Sequence, residues 1–343
     1  MIQNEPMKTH SLSRRLAAVG AALLAAACFS YSAEKPNPFV GHWALTIPGG
    51  GAGWLGVTES QGNLSAAILW GGGSVLPVVD VAMTRDTLVL KRKSGGARRN
   101  ADATPVTTET ITAKLDGDNL KLTTVKSSTS KPEFDRAEFS GKRTPALPHA
   151  PDLSKVKFGQ PIKLFNGQNL EGWRLTNPRA ANGWSVKEGV LTNNPVQDES
   201  QPHKNYGNLR TDQEFEDFNL TLEVNVAPHG NSGIYLRGIY EVQVDDSYGR
   251  PVDPHNMGAI YSRITPTEAA EKPAGQWQTM DITLIDRHAT VILNGKKIID
   301  NQPVLGCTGG ALWSDPLRPG PIYLQGDHSI ASFRNVVLKP VAK

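Results

Sequence analysis

The chain has 343 residues, 38% hydrophobic and 20% charged, an ordinary globular composition long enough for about two domains. Its formal charge is +3, and setting aside residues 1–33 leaves 33 basic and 32 acidic side chains. That balance excludes binding to nucleic acid or an anionic membrane through bulk charge.

Residues 1–33 read as a secretory signal peptide. Lys8, Arg14 and Arg15 precede the apolar run "LAAVGAALLAAACF", and small residues follow at Ser30 and Ser32. The run is too short, and its exit too polar, for a membrane span. The expected destination is the periplasm or the outside of the cell. "SRRLAA" also admits twin-arginine export, and a lipoprotein reading would place the lipid on Cys28. Without Cys28 only Cys307 remains, so the mature chain has no internal disulfide and no Cys-rich metal site.

Over about 38–143, short strand-like runs recur, among them "HWALTI", "WLGVTES", "NLSAAILW", "DTLVLKR", "TETITAKL" and "NLKLTTV". Turn signals separate them at 116–119 ("DGDN") and Gly71–Gly73. Six or so strands in about a hundred residues predict a small antiparallel β-barrel or sandwich. Residues 144–156, with three prolines and no apolar period, read as an extended linker.

From 157 to 343 the chain is again β-rich, and no β-α-β alternation occurs. Asn294-Gly295 between "TVIL" and "KKII" predicts a type I′ hairpin. Only "TPTEAAEK" (265–272) reads as a turn or two of helix. The fold class is therefore all-β, with two stacked antiparallel sheets expected in the second half.

The stretch "GNSGIYLRGIYEVQVDDSYG" (230–249) carries the candidate chemistry. Period-2 alternation puts Tyr240, Val242 and Val244 on one face and Glu241, Gln243 and Asp245 on the other. An odd-length turn near 238–240 would bring Tyr235, Arg237, Glu241 and Gln243 onto a single polar face, and an even one would scatter them. A solvated outer face with a cross-strand Arg–Glu pair is the alternative. The loop that follows adds Asp253, His255, Asn256 and Tyr261. "QGDH" (325–328) places Asp327 and His328 at a strand end, and "NYGNLRT" (205–211) could border a cleft. Trp173, Trp184, Trp277 and Trp313 are either sugar-stacking or core tryptophans, with Trp277 beside Gly275 the best placed for stacking. No Ser-His-Asp order, His-Glu-x-x-His motif or phosphate loop is present.

"LFNGQNLEGW" (164–173), "GNSGIYLRG" (230–238), "YEVQVDDSYG" (240–249), "GAIYSR" (258–263), "GQWQTMDI" (275–282) and "VILNGKKIIDN" (291–301) together resemble the 3-keto-disaccharide hydrolase domain family, in the family's order. The resemblance spans about 160–340. It implies a concanavalin A-like jelly-roll sandwich with a carbohydrate site on the concave sheet, preceded here by the small β domain. It also implies cleavage of 3-keto glycosides: a C3 keto group acidifies the C2 proton, its loss expels the C1 substituent, and water later adds. On that reading Glu241, Asp246 and His255 are candidates for base and acid. Arg237 or a divalent cation would stabilise the enolate. Tyr235, Gln243, Tyr261, Trp277, Asp327 and His328 would contact the sugar. A glucanase-like Glu-x-Asp-x-x-Glu pattern is approached by Glu241-x-Gln243-x-x-Asp246, but the central amide is wrong for a two-carboxylate mechanism. The rival reading is a non-catalytic, lectin-like sugar-binding jelly roll. The oligomeric state is left open.

Overall fold

A computed structural model describes residues 37–98, 101–128, 130–198 and 200–342. The expected signal segment, with Cys28, lies outside them. Asn37–Lys343 forms one compact unit, and its described residues contain no helix. No helix among them is long and apolar enough to cross a membrane.

The first nine strands form one antiparallel sheet: β1 (Gly41–Thr46), β2 (Ala52–Ser60), β3 (Asn63–Trp70), β4 (Leu76–Pro77), β5 (Asp80–Thr84), β6 (Thr87–Arg98), β7 (Ala101–Asp116), β8 (Asn119–Ser128) and β9 (Phe134–Arg143). Their order is β4-β3-β2-β1-β9-β8-β7-β6-β5. β3 and β5 touch, so the sheet curls towards closure. Alternation supplies its core: Leu88, Leu90, Ile111, Ala113, Leu120 and Leu122 point inward around Trp43, Leu45 and Leu55.

Thirteen strands build the rest: β10 (Ile162–Lys163), β11 (Trp173–Leu175), β12 (Trp184–Lys187), β13 (Val190–Asn193), β14 (Leu209–Thr211), β15 (Phe218–Val226), β16 (Asn231–Leu236), β17 (Tyr240–Asp245), β18 (Gln278–Ile285), β19 (His288–Leu293), β20 (Lys296–Pro303), β21 (Tyr323–Leu324) and β22 (Ala331–Pro340). One sheet runs β12-β13-β22-β15-β18-β19-β20, with β10 on β22; the other runs β11-β14-β21-β16-β17. This is the jelly-roll sandwich. β15 buries every second residue, Phe218 through Val226, in one core with Ile234, Leu236, Val242 and Val244 of the other sheet. β16 and β17 are buried on both faces. The face turned away from the core is therefore covered by something, and it is the polar one.

The Asn294–Gly295 hairpin forms as expected, with φ of 51° and 82° and Leu293 paired to Lys296. The expected helix at 265–272 does not form. Pro266 and Pro273 bracket it, and its polar groups find tertiary partners: Thr267 N–H donates to the Ile298 carbonyl (2.8 Å), and the Glu271 carboxylate accepts from the Ser247 hydroxyl (2.7 Å). The proline-rich segment is held against the sandwich, because Arg287 donates to the Pro145 carbonyl (3.1 Å) and Asn301 to that of Pro151 (2.9 Å).

The curled sheet and the sandwich share core. Ala52, Trp54 and Leu69 belong to the sandwich's buried cluster. The Trp54 indole N–H donates to the Leu305 carbonyl (3.0 Å), and the Arg263 guanidinium lies over its ring at 4.4 Å.

Candidate active site

The turn between β16 and β17 has three residues, Arg237, Gly238 and Ile239, so Tyr235 pairs with Glu241, Gly233 with Gln243 and Asn231 with Asp245. The odd parity puts Tyr235, Glu241, Gln243 and Asn231 on one face. Gly233 is needed there, since a Cβ would come 2.3 Å from Glu241 Oε1; the Glu241 side chain lies across the gap that the glycine leaves.

β21 extends this face on the other side of β16. Tyr323 pairs with Tyr235, and the rings stack with centroids 3.8 Å apart. Their hydroxyls donate to the carbonyls of Gly309 (2.7 Å, from Tyr235) and Gly310 (2.6 Å, from Tyr323). Gln325 N–H donates to the Gly233 carbonyl, which continues the register, and Asp327 and His328 follow. Asn208, just before β14, accepts from the Gly326 N–H (2.9 Å).

These residues surround a cleft of about 280 Å³, near the lower bound of roughly 300 Å³ for small-molecule sites. Tyr235, Glu241, Gln243, Tyr261, Asp327 and His328 line it; so do Asn208, Asn231, Tyr323 and Gln325, and the backbone of Gly72, Gly73, Gly309 and Gly310. A larger hollow of about 420 Å³ lies between β1, β8, β9 and residues 314–317. Its charged lining, which includes the Lys121–Asp116 pair at 78% and 58% exposed, is solvated and holds no imidazole and no buried carboxyl.

The cleft has a distinct electrostatic structure. Glu241 is 3% exposed, and burial pushes its carboxyl up to about 8, against the opposing pull of the Tyr235 hydroxyl and of His328. His328 Nδ1 is 2.7 Å from Asp327 Oδ1. That bond raises the imidazole above its usual range, with partial burial opposing. Burial would raise Asp327, but the His328 bond and charge outweigh it and hold the carboxyl low. Burial keeps both tyrosines protonated by driving them well above 10. The side-chain amide oxygens of Asn231, Gln243 and Gln325 are buried without a hydrogen-bond partner. Such groups are costly unless something supplies donors, and all three line this cleft.

Four expected site residues stand elsewhere. Arg237 occupies the turn itself, at φ 54°, and its guanidinium binds the Arg318 carbonyl (Nη2, 2.7 Å); it does not face Glu241 from a strand. Asp246 accepts the His229 N–H at 2.8 Å, off the cleft. His255 Nε2 is 2.9 Å from Ser74 Oγ, and its ring packs edge-on to Tyr261, beside the cleft wall. Trp277 lies under the Arg334 guanidinium at 4.0 Å, on the opposite sheet. Trp173 and Trp184 are core residues whose N–H groups bind the carbonyls of Leu164 and Gly207. Asn231 and Tyr323 escaped the sequence reading. The signal for Tyr323 is there in "IYLQGD", where period 2 joins it to Gln325 and Asp327.

Among the described residues, no group of three or more His, Cys, Asp or Glu side chains is arranged to hold a metal ion. Oxygen donors at the cleft are instead the carboxylates Glu241 and Asp327 and the three unpartnered amides.

A 3-keto-disaccharide hydrolase of Bacteroides thetaiotaomicron is 26% identical over 148 residues, 35% of this chain and 51% of that relative. The match thus spans about half the relative's length. Two crystal structures of candidate glycosyl hydrolases from Parabacteroides distasonis are similar as well. One is 27% identical with a TM-score of 0.40, covering 53% of this chain and 100% of that one. The other is 20% identical with a TM-score of 0.41, covering 53% and 94%. The 3-keto-alpha-glucoside-1,2-lyase-like domain profile matches residues 160–339, just over half of the chain and all of the cleft-bearing sheet, and the chain belongs to that family.

Proposed function

We propose that the cleft cleaves 3-keto glycosides by elimination followed by hydration. The observation that carries this is a buried carboxyl, Glu241, kept protonated to about pH 8 beside an imidazole oriented by a carboxylate. Two groups of different character facing one small cleft are what acid–base chemistry at neutral pH requires.

His328 is the base. Asp327 holds Nδ1–H, which leaves Nε2 free to take the C2 proton. The electron pair spreads into the C3 carbonyl as an enolate, for which the N–H ends of the cleft amides are the available donors. Collapse of the enolate forms the C1–C2 double bond and breaks the C1–oxygen bond. The leaving oxygen takes the Glu241 proton. Water then adds at C1, its proton goes to Glu241, and His328 returns a proton to C2; the sum is hydrolysis. Gln243, Asn231 and Gln325 accept from sugar hydroxyls, which satisfies their buried oxygens. A divalent cation drawing on Glu241 and Asp327 would require Glu241 ionised, which conflicts with its role as the proton donor to the leaving oxygen. A lectin would need the amides and tyrosines but gains nothing from a buried carboxyl held near pH 8. We place the protein outside the cytoplasm on the strength of residues 1–33.

The direct test is aglycone release from a 3-keto glucoside and from the parent glucoside, with and without chelator. Release from the keto compound alone is expected; release from neither would favour a binding module. The pH profile adds a second prediction. Activity needs Glu241 protonated and His328 neutral, so kcat/KM falls above about pH 8 and falls on the acid side through the raised His328 pKa. Asp327→Asn removes the hydrogen bond and charge that raise it most, so the acid limb should move to lower pH. An unmoved limb would remove His328 from the role of base.

A further inference from the structure

The family match begins at residue 160, yet the cleft is not made by the sandwich alone. Gly72 and Gly73, in the turn between β3 and β4, form part of its lining. The turn is attached to the sandwich at three points. The backbones of Gly73 and Gly309 meet so closely that a Cβ on Gly309 would lie 2.2 Å from the Gly73 carbonyl oxygen. Ser74 Oγ is 2.9 Å from His255 Nε2, and Val75 N–H donates to Ser262 Oγ at 2.9 Å.

Strand order says which end of the cleft this turn closes. Across the sheet, Asn208 stands at β14, Gln325 at β21, Tyr235 at β16 and Glu241 at β17, the edge strand. Beyond β17 comes the 259–261 segment, where Tyr261 N–H donates to the Glu241 carbonyl. Two of the turn's attachments, His255 and Ser262, lie on this outer side next to Tyr261, and the third, Gly309, sits over Tyr235 of the adjacent β16. It therefore flanks Glu241, at the end opposite Asn208. If Glu241 protonates the leaving oxygen, the aglycone extends towards the turn.

We propose that the Gly71–Ser74 turn of the N-terminal sheet is the aglycone-side wall of the cleft and limits the substrate to a compact aglycone, about one sugar unit. This rests on the assignment of Glu241 as the acid. The N-terminal sheet then serves specificity, and its sequence at 71–74 determines which glycosides are accepted.

Gly72 gives a clean test. Its backbone lies outside the left-handed region, and a Cβ there would meet nothing within 4 Å, so a side chain can be added without strain at the position itself. Calorimetric binding would compare a methyl 3-keto-glucoside with a 3-keto disaccharide, using Gly72→Trp in a Glu241→Gln background that cannot turn over. The expected result is that the ratio of disaccharide Kd to methyl glycoside Kd rises at least tenfold. An unchanged ratio, or binding of neither ligand by the Glu241→Gln parent, would overturn the wall. Turnover on the Glu241-intact proteins separates the two ideas. Discrimination in binding without any release of aglycone would keep the wall and sink the catalytic reading.

Discussion

Replacing Glu241 by glutamine is expected to lower kcat on a 3-keto glycoside by roughly 10²–10⁴-fold, the usual range for a general acid or base. The exchange is nearly isosteric, so Gly233 still accommodates the side chain and the Tyr235–Gly309 bond is untouched. Binding should survive while turnover does not. The same variant carries a stability signature of the buried carboxyl. A folded-state pKa raised from 4.5 to about 8 means that the native state holds a proton which the unfolded chain releases. Stability contributed this way is present below about 4.5 and is lost as pH rises to about 8, on the order of 5 kcal/mol in all. Glutamine never ionises. Glu241→Gln should therefore be more stable than the wild-type protein at pH 9, and the difference should shrink steadily towards pH 5. Denaturant unfolding at the two pH values checks this. Equal stability differences at both would mean that the carboxyl is not held neutral by burial.

Trp54→Ala is the substitution expected to damage the fold most where the two halves meet. Truncating a buried Trp costs about 3–5 kcal/mol through lost contacts and the cavity left behind. Three features place this one near the upper end. Its N–H partner, the Leu305 carbonyl, loses its donor. Arg263, half-buried and lowered by desolvation to about 10, loses the ring that covers it. Gly306 exists to admit the indole, since a Cβ there would lie 2.1 Å from Trp54 Cδ1. Trp54→Phe, which keeps a ring face but no N–H, should lie between. Urea midpoints with m-values report both variants; a loss below about 1 kcal/mol for Trp54→Ala would mean that the junction contributes little. Because the Gly71–Ser74 turn hangs on β3, next to β2, discrimination between aglycones should weaken along with stability.

Much of this was legible in the sequence because β-structure has a period of two. Alternation named the strands, Asn294–Gly295 named a hairpin, and the parity of the Arg237–Ile239 turn decided which side chains share a face. The sequence could not say that the turn begins at Arg237, whose positive φ takes its side chain off the strand. It also could not orient the loop residues. Asp246 is spent on the His229 N–H, and His255 is drawn to Ser74, a residue 181 positions away. Asn231, Gln243 and Gln325 are ordinary strand amides until burial leaves their oxygens unpartnered. The helix read at 265–272 yielded to the pull of Ile298, Ser247 and Gln278 on its polar groups. Local propensity loses to tertiary partners in so short a segment.

In the proposed mechanism the C2 proton is removed, giving an enolate, before the C1 bond breaks. This deprotonation is tested most directly by kcat/KM for a 3-keto glucoside carrying deuterium at C2. Elimination through C2 deprotonation gives a primary isotope effect on aglycone release, and deuterium at C2 of the released sugar when the protiated compound reacts in heavy water. Equal rates for the two isotopologues, with the C2 hydrogen retained in the product, would contradict it.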